Sequence, residues 1–120
     1  MMGLGLVAGF SITPIASGRV AAIIGGCCAN SGANGGLHIT GRYGSGTAPA
    51  NGAAITGTTW SITQVYYMTS ANDISGFTVI GGFNIGVLAA GTAYWFDVSI
   101  SATGGGTVTI TNVQSLLWEL

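Results

Sequence analysis

The sequence predicts an all-β fold, and three observations carry that expectation. Strong helix formers are almost missing: there is one Glu and no Lys in 120 residues. Thr, Ser and β-branched residues fall instead in alternating runs of strand length. Signals built from Gly and Asn then interrupt those runs at short, regular intervals. Seven or eight short strands so spaced make a sandwich, a jelly roll or a small barrel. The chain is long enough for one core and too short for two, so residues 1–120 read as a single domain.

Taken in order, strands are expected over Leu6–Ile12, Gly18–Ile24, Gly36–Tyr43, Thr59–Met68, Gly76–Phe83, Thr92–Ser101 and Thr107–Trp118. The turns between them have chemical reasons. "NSGANGG" at Asn30–Gly36 holds Asn34-Gly35, a hairpin signal because both residues tolerate positive φ. In "APANG", Pro49 sets φ and Asn51-Gly52 closes a second turn. "ATGGGT" at Ala102–Thr107 separates the last two strands, and Gly41, Gly44, Gly46 and Gly52 read as further turn residues. In the run Tyr94 to Val98, residues Tyr94, Phe96 and Val98 alternate with Trp95 and Asp97, one set facing in and the other out.

Composition excludes several functions. Hydrophobic residues make up 48% of the chain and charged residues 4%, where about a quarter is ordinary. Two arginines, Arg19 and Arg42, are the only basic side chains, so a nucleic-acid partner has no phosphate-binding patch. Mean hydropathy is +0.62, but the most apolar end, "MMGLGLVAGF", is broken by Gly3, Gly5 and Gly9 and is half a bilayer span long. It also lacks the basic start of a secretory signal, and no membrane insertion is expected. A net charge of -1 leaves little repulsion between copies, so much of the surface is expected to be buried in self-association.

Chemistry-bearing residues are sparse. Cys27-Cys28 are neighbours whose side chains point to opposite faces of a strand, so they read as small hydrophobes rather than a staple. With that pair and the lone His38, a four-ligand zinc site within one chain is not credible. His38 with Asp73 or Asp97 makes a triad only on paper, since no G-x-S-x-G elbow accompanies them. "GRYGSG" at Gly41–Gly46 lacks the lysine and following helix of a phosphate loop. No enzyme activity and no cofactor are expected.

The order of the motifs resembles small all-β structural modules of tailed-phage and prophage virions, found in fibres and other appendages. The residues that carry the resemblance are "MMGLG" at 1–5, "SITPIASGRV" at 11–20, "NSGANGG" at 30–36 and "RYGSGTAPANGAAITGT" at 42–58. "GTAYWFDVSISATGGGTVTITNV" at 91–113 and "WEL" at 118–120 complete it. It is weakest across Trp60–Phe83, and Cys27-Cys28 departs from the pattern. The resemblance implies a jelly-roll sandwich of about eight antiparallel strands like the trimeric tumour-necrosis-factor and C1q heads. It implies a virion location and a role as capsid decoration or fibre-head component. Related modules sit behind stalks, so this chain is either a piece of a longer fibre or a module that stands alone.

Two sets of residues follow as candidates for recognition. In the last strand Val108, Ile110, Asn112 and Gln114 alternate with Thr109, Thr111 and Val113, so one side mixes apolar and amide groups. Amides beside a three-fold axis can satisfy one another without charge. With Leu117 and Trp118 these four residues form the expected trimer interface. The alternative reading, a receptor- or glycan-binding tip, would use exposed aromatics among Trp60, Tyr66, Tyr67 and Trp95. A self-assembling extracellular filament is a third reading of the same bare surface.

Overall fold

The computed structural model describes residues 1–3, 5, 10–81 and 86–120. It is all β. Among the described residues nine strands occur: β1 (Met2–Gly3), β2 (Ser11–Ile12), β3 (Val20–Asn30), β4 (Gly36–Ser45), β5 (Thr58–Thr59), β6 (Gln64–Tyr67), β7 (Ser75–Gly81), β8 (Tyr94–Thr103) and β9 (Val108–Glu119). They form two antiparallel sheets. In the larger, β8 and β4 are the long central pair, flanked by β1 and β2 on one side and by β5 and β6 on the other. The smaller has the order β7-β3-β9.

Three stretches of chain run through both sheets. β3 continues into β4, β6 into β7 and β8 into β9, and the left-to-right order is the same in each sheet. The protein is therefore a three-stranded ribbon folded over at one corner. Pairing runs almost unbroken from Val20 opposite Glu119, through Asn30 opposite Val108, to Gly36 opposite Thr103 and Ser45 opposite Tyr94.

Asn30 makes the corner. Its side chain is fully buried; its Nδ2 donates to the Gly36 carbonyl at 2.9 Å and its Oδ1 accepts from the Gly32 N–H at 2.8 Å. Backbone bonds tie the other two crossings to the same point. The N–H of Asn72 donates to the Asn30 carbonyl, that of Ser31 to Thr107 and that of Met68 to Gly35. Asn34 has φ 58, as its Asn-Gly setting predicts. The turn is nevertheless not a hairpin. Both flanking strands already have neighbours on each side, so the chain passes between sheets instead of pairing with itself.

The core lies between the sheets. Val20, Ala22, Ile24 and Cys28 of β3 meet Leu37 and Ile39 of β4, Phe77 and Val79 of β7, and Phe96 and Val98 of β8. Phe96 is its aromatic centre, with Tyr43 stacked at 5.6 Å, Trp60 tilted at 6.0 Å and Phe10 edge-on at 6.2 Å between ring centroids.

Strand limits differ from expectation where glycine misled. β3 does not stop at Ile24, because Gly25 and Gly26 continue the ladder. A Cβ on Gly26 would stand 3.0 Å from both the Phe77 ring and the Thr111 carbonyl, so this glycine serves close packing. Gly41 and Gly44 are likewise strand residues: the indoles of Trp60 and Trp95 lie where their side chains would be. Gly46 and Gly52 do turn with positive φ, and Ala53 closes the second turn onto the Ala50 carbonyl at 3.0 Å. The expected strand Thr59–Met68 is two strands, because Trp60 turns inward over Gly41 and donates Nε1–H to the Arg42 carbonyl at 2.9 Å. Leu6–Ala8 and Gly9 of the first expected strand, and Gly82 and Phe83 of the fifth, lie outside the described residues.

The end of β9 is clipped to the segment before β3. The Glu119 carboxylate accepts the N–H groups of Ile15 (2.9 Å), Ala16 (3.0 Å) and Gly18 (2.7 Å). These bonds, that of Ile15 foremost, hold the Glu119 carboxyl below its ordinary pKa of 4.5.

Two outcomes test this architecture. Asn30→Ala should lower stability by about 2–4 kcal/mol in urea unfolding, since it strands a buried donor and acceptor. A folded-state pKa below the unfolded one means that the Glu119 clip adds stability above pH ~4.5 and loses it as pH falls through the lower, folded value. Thermal melts of Glu119→Gln should therefore run below the wild type at neutral pH and converge with it in acid.

Candidate interaction face

The outward faces of the two sheets differ in kind. On the larger sheet, positions facing away from the core carry His38, Thr40 and Arg42 on β4 and Trp95, Asp97 and Ser99 on β8. Much of this polar surface is closed off. Asp97 is 1% exposed and accepts the N–H of Gly5 at 3.0 Å and of Val98 at 2.7 Å, while Ser99 donates to the Thr40 carbonyl at 3.1 Å. Trp95 is buried against Gly44 and Gly57. The in-and-out alternation of Tyr94 to Val98 holds, but the outward members are covered too.

No catalytic grouping emerges among the described residues. His38 stands opposite Ser101, whereas Asp97 lies four positions along β8, roughly 13 Å at strand rise. Asp73 is an exposed turn residue. No three of His, Cys, Asp and Glu come together among the described residues. The stretch Gly41–Ser45 is paired strand, with its backbone in ladders to β8 and β5.

The smaller sheet turns outward an uncharged face that mixes apolar side chains with hydroxyl and amide groups. Ile23, Gly25 and Cys27 of β3 lie between Gly76, Thr78 and Ile80 of β7 and the outward residues of β9. Gly25 and Gly76, lacking side chains, leave an open groove of about 590 Å³, rimmed by Ile23, Cys27, Thr78, Gln114 and Leu116. Ile80 is 56% exposed and Leu116 57%. None of the residues lining the groove is charged.

A bulge decides which residues of β9 face this way. Gly25 pairs with Gln114 but Cys27 with Thr111, so Asn112 and Val113 together span Gly26. Asn112 takes a left-handed φ of 52. The extra residue reverses the alternation, as a one-residue slip must. Val108 and Ile110 pack against the core before it, Val113 and Leu117 after it. Gln114, Leu116 and Trp118 are left facing outward, with Trp118 opposite the buried Ala21. The expected single side of Val108, Ile110, Asn112 and Gln114 is therefore split: the first two point in, while Asn112 and Gln114 are exposed. Leu117 and Trp118 also lie on opposite faces. Simple alternation missed Leu116 and Ile80, and only the positive-φ tolerance of Asn112 hinted at a bulge.

The four aromatics do not form an exposed set. Trp60 and Trp95 are each 5% exposed and Tyr66 is half-buried, its hydroxyl donating to Gln64 Oε1 at 3.0 Å. Tyr67 alone of the four is exposed.

No family model, characterised protein or solved structure matches the chain.

The cysteines separate as strand geometry requires. Cys27 is half-exposed in the groove, and Cys28 is buried in the core. Burial, and secondarily the neighbouring Cys27, pushes the Cys28 thiol above its ordinary pKa. A maleimide added to native protein should label Cys27 first and reach Cys28 only on denaturation. Equal labelling rates for the two thiols would contradict this placement.

Proposed function

We propose that the chain is a non-enzymatic structural protein that works by associating with copies of itself. One observation carries the reading: the outward face of the β7-β3-β9 sheet carries no charge across its groove and leaves Leu116 and Ile80 exposed beside it. Burying such a face against a like surface costs no unpaired ion. Other exposed apolar residues, among them Ile15, Ile62 and Val87, add to the same tendency.

The resemblance to tailed-phage modules supplies the setting. On that reading the protein is a virion component, a capsid decoration or fibre-head module, with three copies to the oligomer. The jelly-roll reading is supported by the long antiparallel ribbon of β3–β4 with β8–β9, folded across two sheets. Its partners are further copies and other virion proteins, with no nucleic acid and no membrane insertion. A receptor- or glycan-binding fibre tip is favoured by one feature, Tyr67 exposed beside Val65 on β6.

Light scattering at micromolar concentration should report an oligomer. A stable monomer would refute self-assembly, and negative-stain images of long polymers in place of discrete particles would favour a filament subunit.

A further inference from the structure

Among the described residues most sheet edges are short or interrupted. β1 and β2 have two residues each, β5 and β6 are separated by the inward turn at Trp60, and β7 has seven residues. β9 is different. It is twelve residues long and, among the described residues, pairs with β3 alone. Edge strands are ordinarily guarded by Lys, Pro, brevity or a bulge. β9 has no Lys, Arg or Pro, and its bulge at Asn112 guards only the first half. Among the described residues, the seven from Val113 to Glu119 form a regular edge with no second strand paired to it, and only its Glu119 end is held by the Ile15–Gly18 segment.

We propose that this edge is a docking site for the same segment of a second copy, paired antiparallel about a two-fold axis at Leu116. The inference rests on the self-association reading and names the contact.

A second copy is the occupant that the charges favour. Glu119 is the only charged residue on β9, and its carboxylate is engaged by the Ile15–Gly18 backbone. Antiparallel pairing about Leu116 places the two Glu119 residues at opposite ends, each beside the partner's Val113. Parallel pairing in register would set Glu119 against its own copy. In the antiparallel ladder the outward face brings Leu116 against itself and Gln114 against the partner's Trp118, while Ser115 meets the partner's Leu117. The outward pairs are the kinds of cross-strand contact that stabilise sheets, and none is ionic. The two small sheets then join as one six-stranded sheet, and the exposed Leu116 side chains shield each other. The contact is isologous. It joins single protomers into dimers, or separate trimers into pairs.

Leu116→Lys tests it without touching the core, since that side chain is 57% exposed. In a symmetric pair the new ammonium meets its own copy, and association should weaken by roughly tenfold or more. Light scattering of the wild type should give an even number of copies, and Leu116→Lys half that number with an unchanged circular dichroism spectrum. In a Cys27→Ser/Cys28→Ser background, Leu116→Cys should cross-link into covalent dimers under mild oxidation. An odd-numbered wild-type oligomer that Leu116→Lys leaves intact would overturn the β9 contact while self-assembly stands. So would a Leu116→Cys oligomer that fails to cross-link. A wild-type monomer at every concentration would remove both readings.

Discussion

Everything in this fold depends on turning a flat ribbon back on itself at one corner, and Asn30 is the group that permits it. Bending three neighbouring stretches of chain at once takes backbone N–H and C=O groups out of their ladders, where burial leaves them no water. The Asn30 side chain offers one donor and one acceptor at that point, and both are used. Its backbone carbonyl serves the neighbouring stretch through Asn72, and Ser31 reaches the third through Thr107. The glycines of the adjoining turns fit around it: a side chain on Gly35 or Gly106 would collide with the asparagine amide.

Once the ribbon is folded, its two halves have different tasks. The β4–β8 half keeps polar groups outward and then covers them. Asp97 accepts the backbone N–H groups of Gly5 and Val98, Ser99 donates to the Thr40 carbonyl, and the Thr40 and Thr63 hydroxyls share a hydrogen bond. Two buried polar atoms of this face, Arg42 Nε and Trp95 Nε1, are left without a hydrogen-bond partner among the described residues. The β7-β3-β9 half does the opposite, presenting Ile23, Ile80 and Leu116 with glycines between them. The separation is between a largely covered polar surface and an exposed uncharged one.

Much of the β character was legible in the sequence because it rests on local chemistry: alternation, β-branching and turn residues. The limits of β4, β8 and β9 came within about two residues for that reason. The errors share a physical cause, which is that glycine has two uses. At Gly46 and Gly52 it supplies positive φ, and the local sequence shows it. At Gly26, Gly41 and Gly44 it makes room for Phe77, Trp60 and Trp95, residues that are distant along the chain. Partners so remote leave no trace in a short window. The face of β9 was misjudged likewise, because the bulge depends on Gly26 of another strand as much as on Asn112. Trp60 and Trp95 looked available for recognition, yet a large ring beside a strand glycine is a packing pair.

The register of the central ladder also sets how the chain must fold. Val20 pairs with Glu119, and the whole of β3 waits for β9. Closing loops of that length before any reward from packing makes folding slow for a domain of this size. During synthesis β3 and β7 emerge and pair while the other flank of β3 stays open. An exposed apolar strand of this kind invites pairing with a neighbouring chain. On the way to its native state the chain therefore passes through a form that exposes more strand edge than the finished molecule. Its yield on expression should depend on how crowded the nascent chains are, with sparse synthesis favouring the folded product.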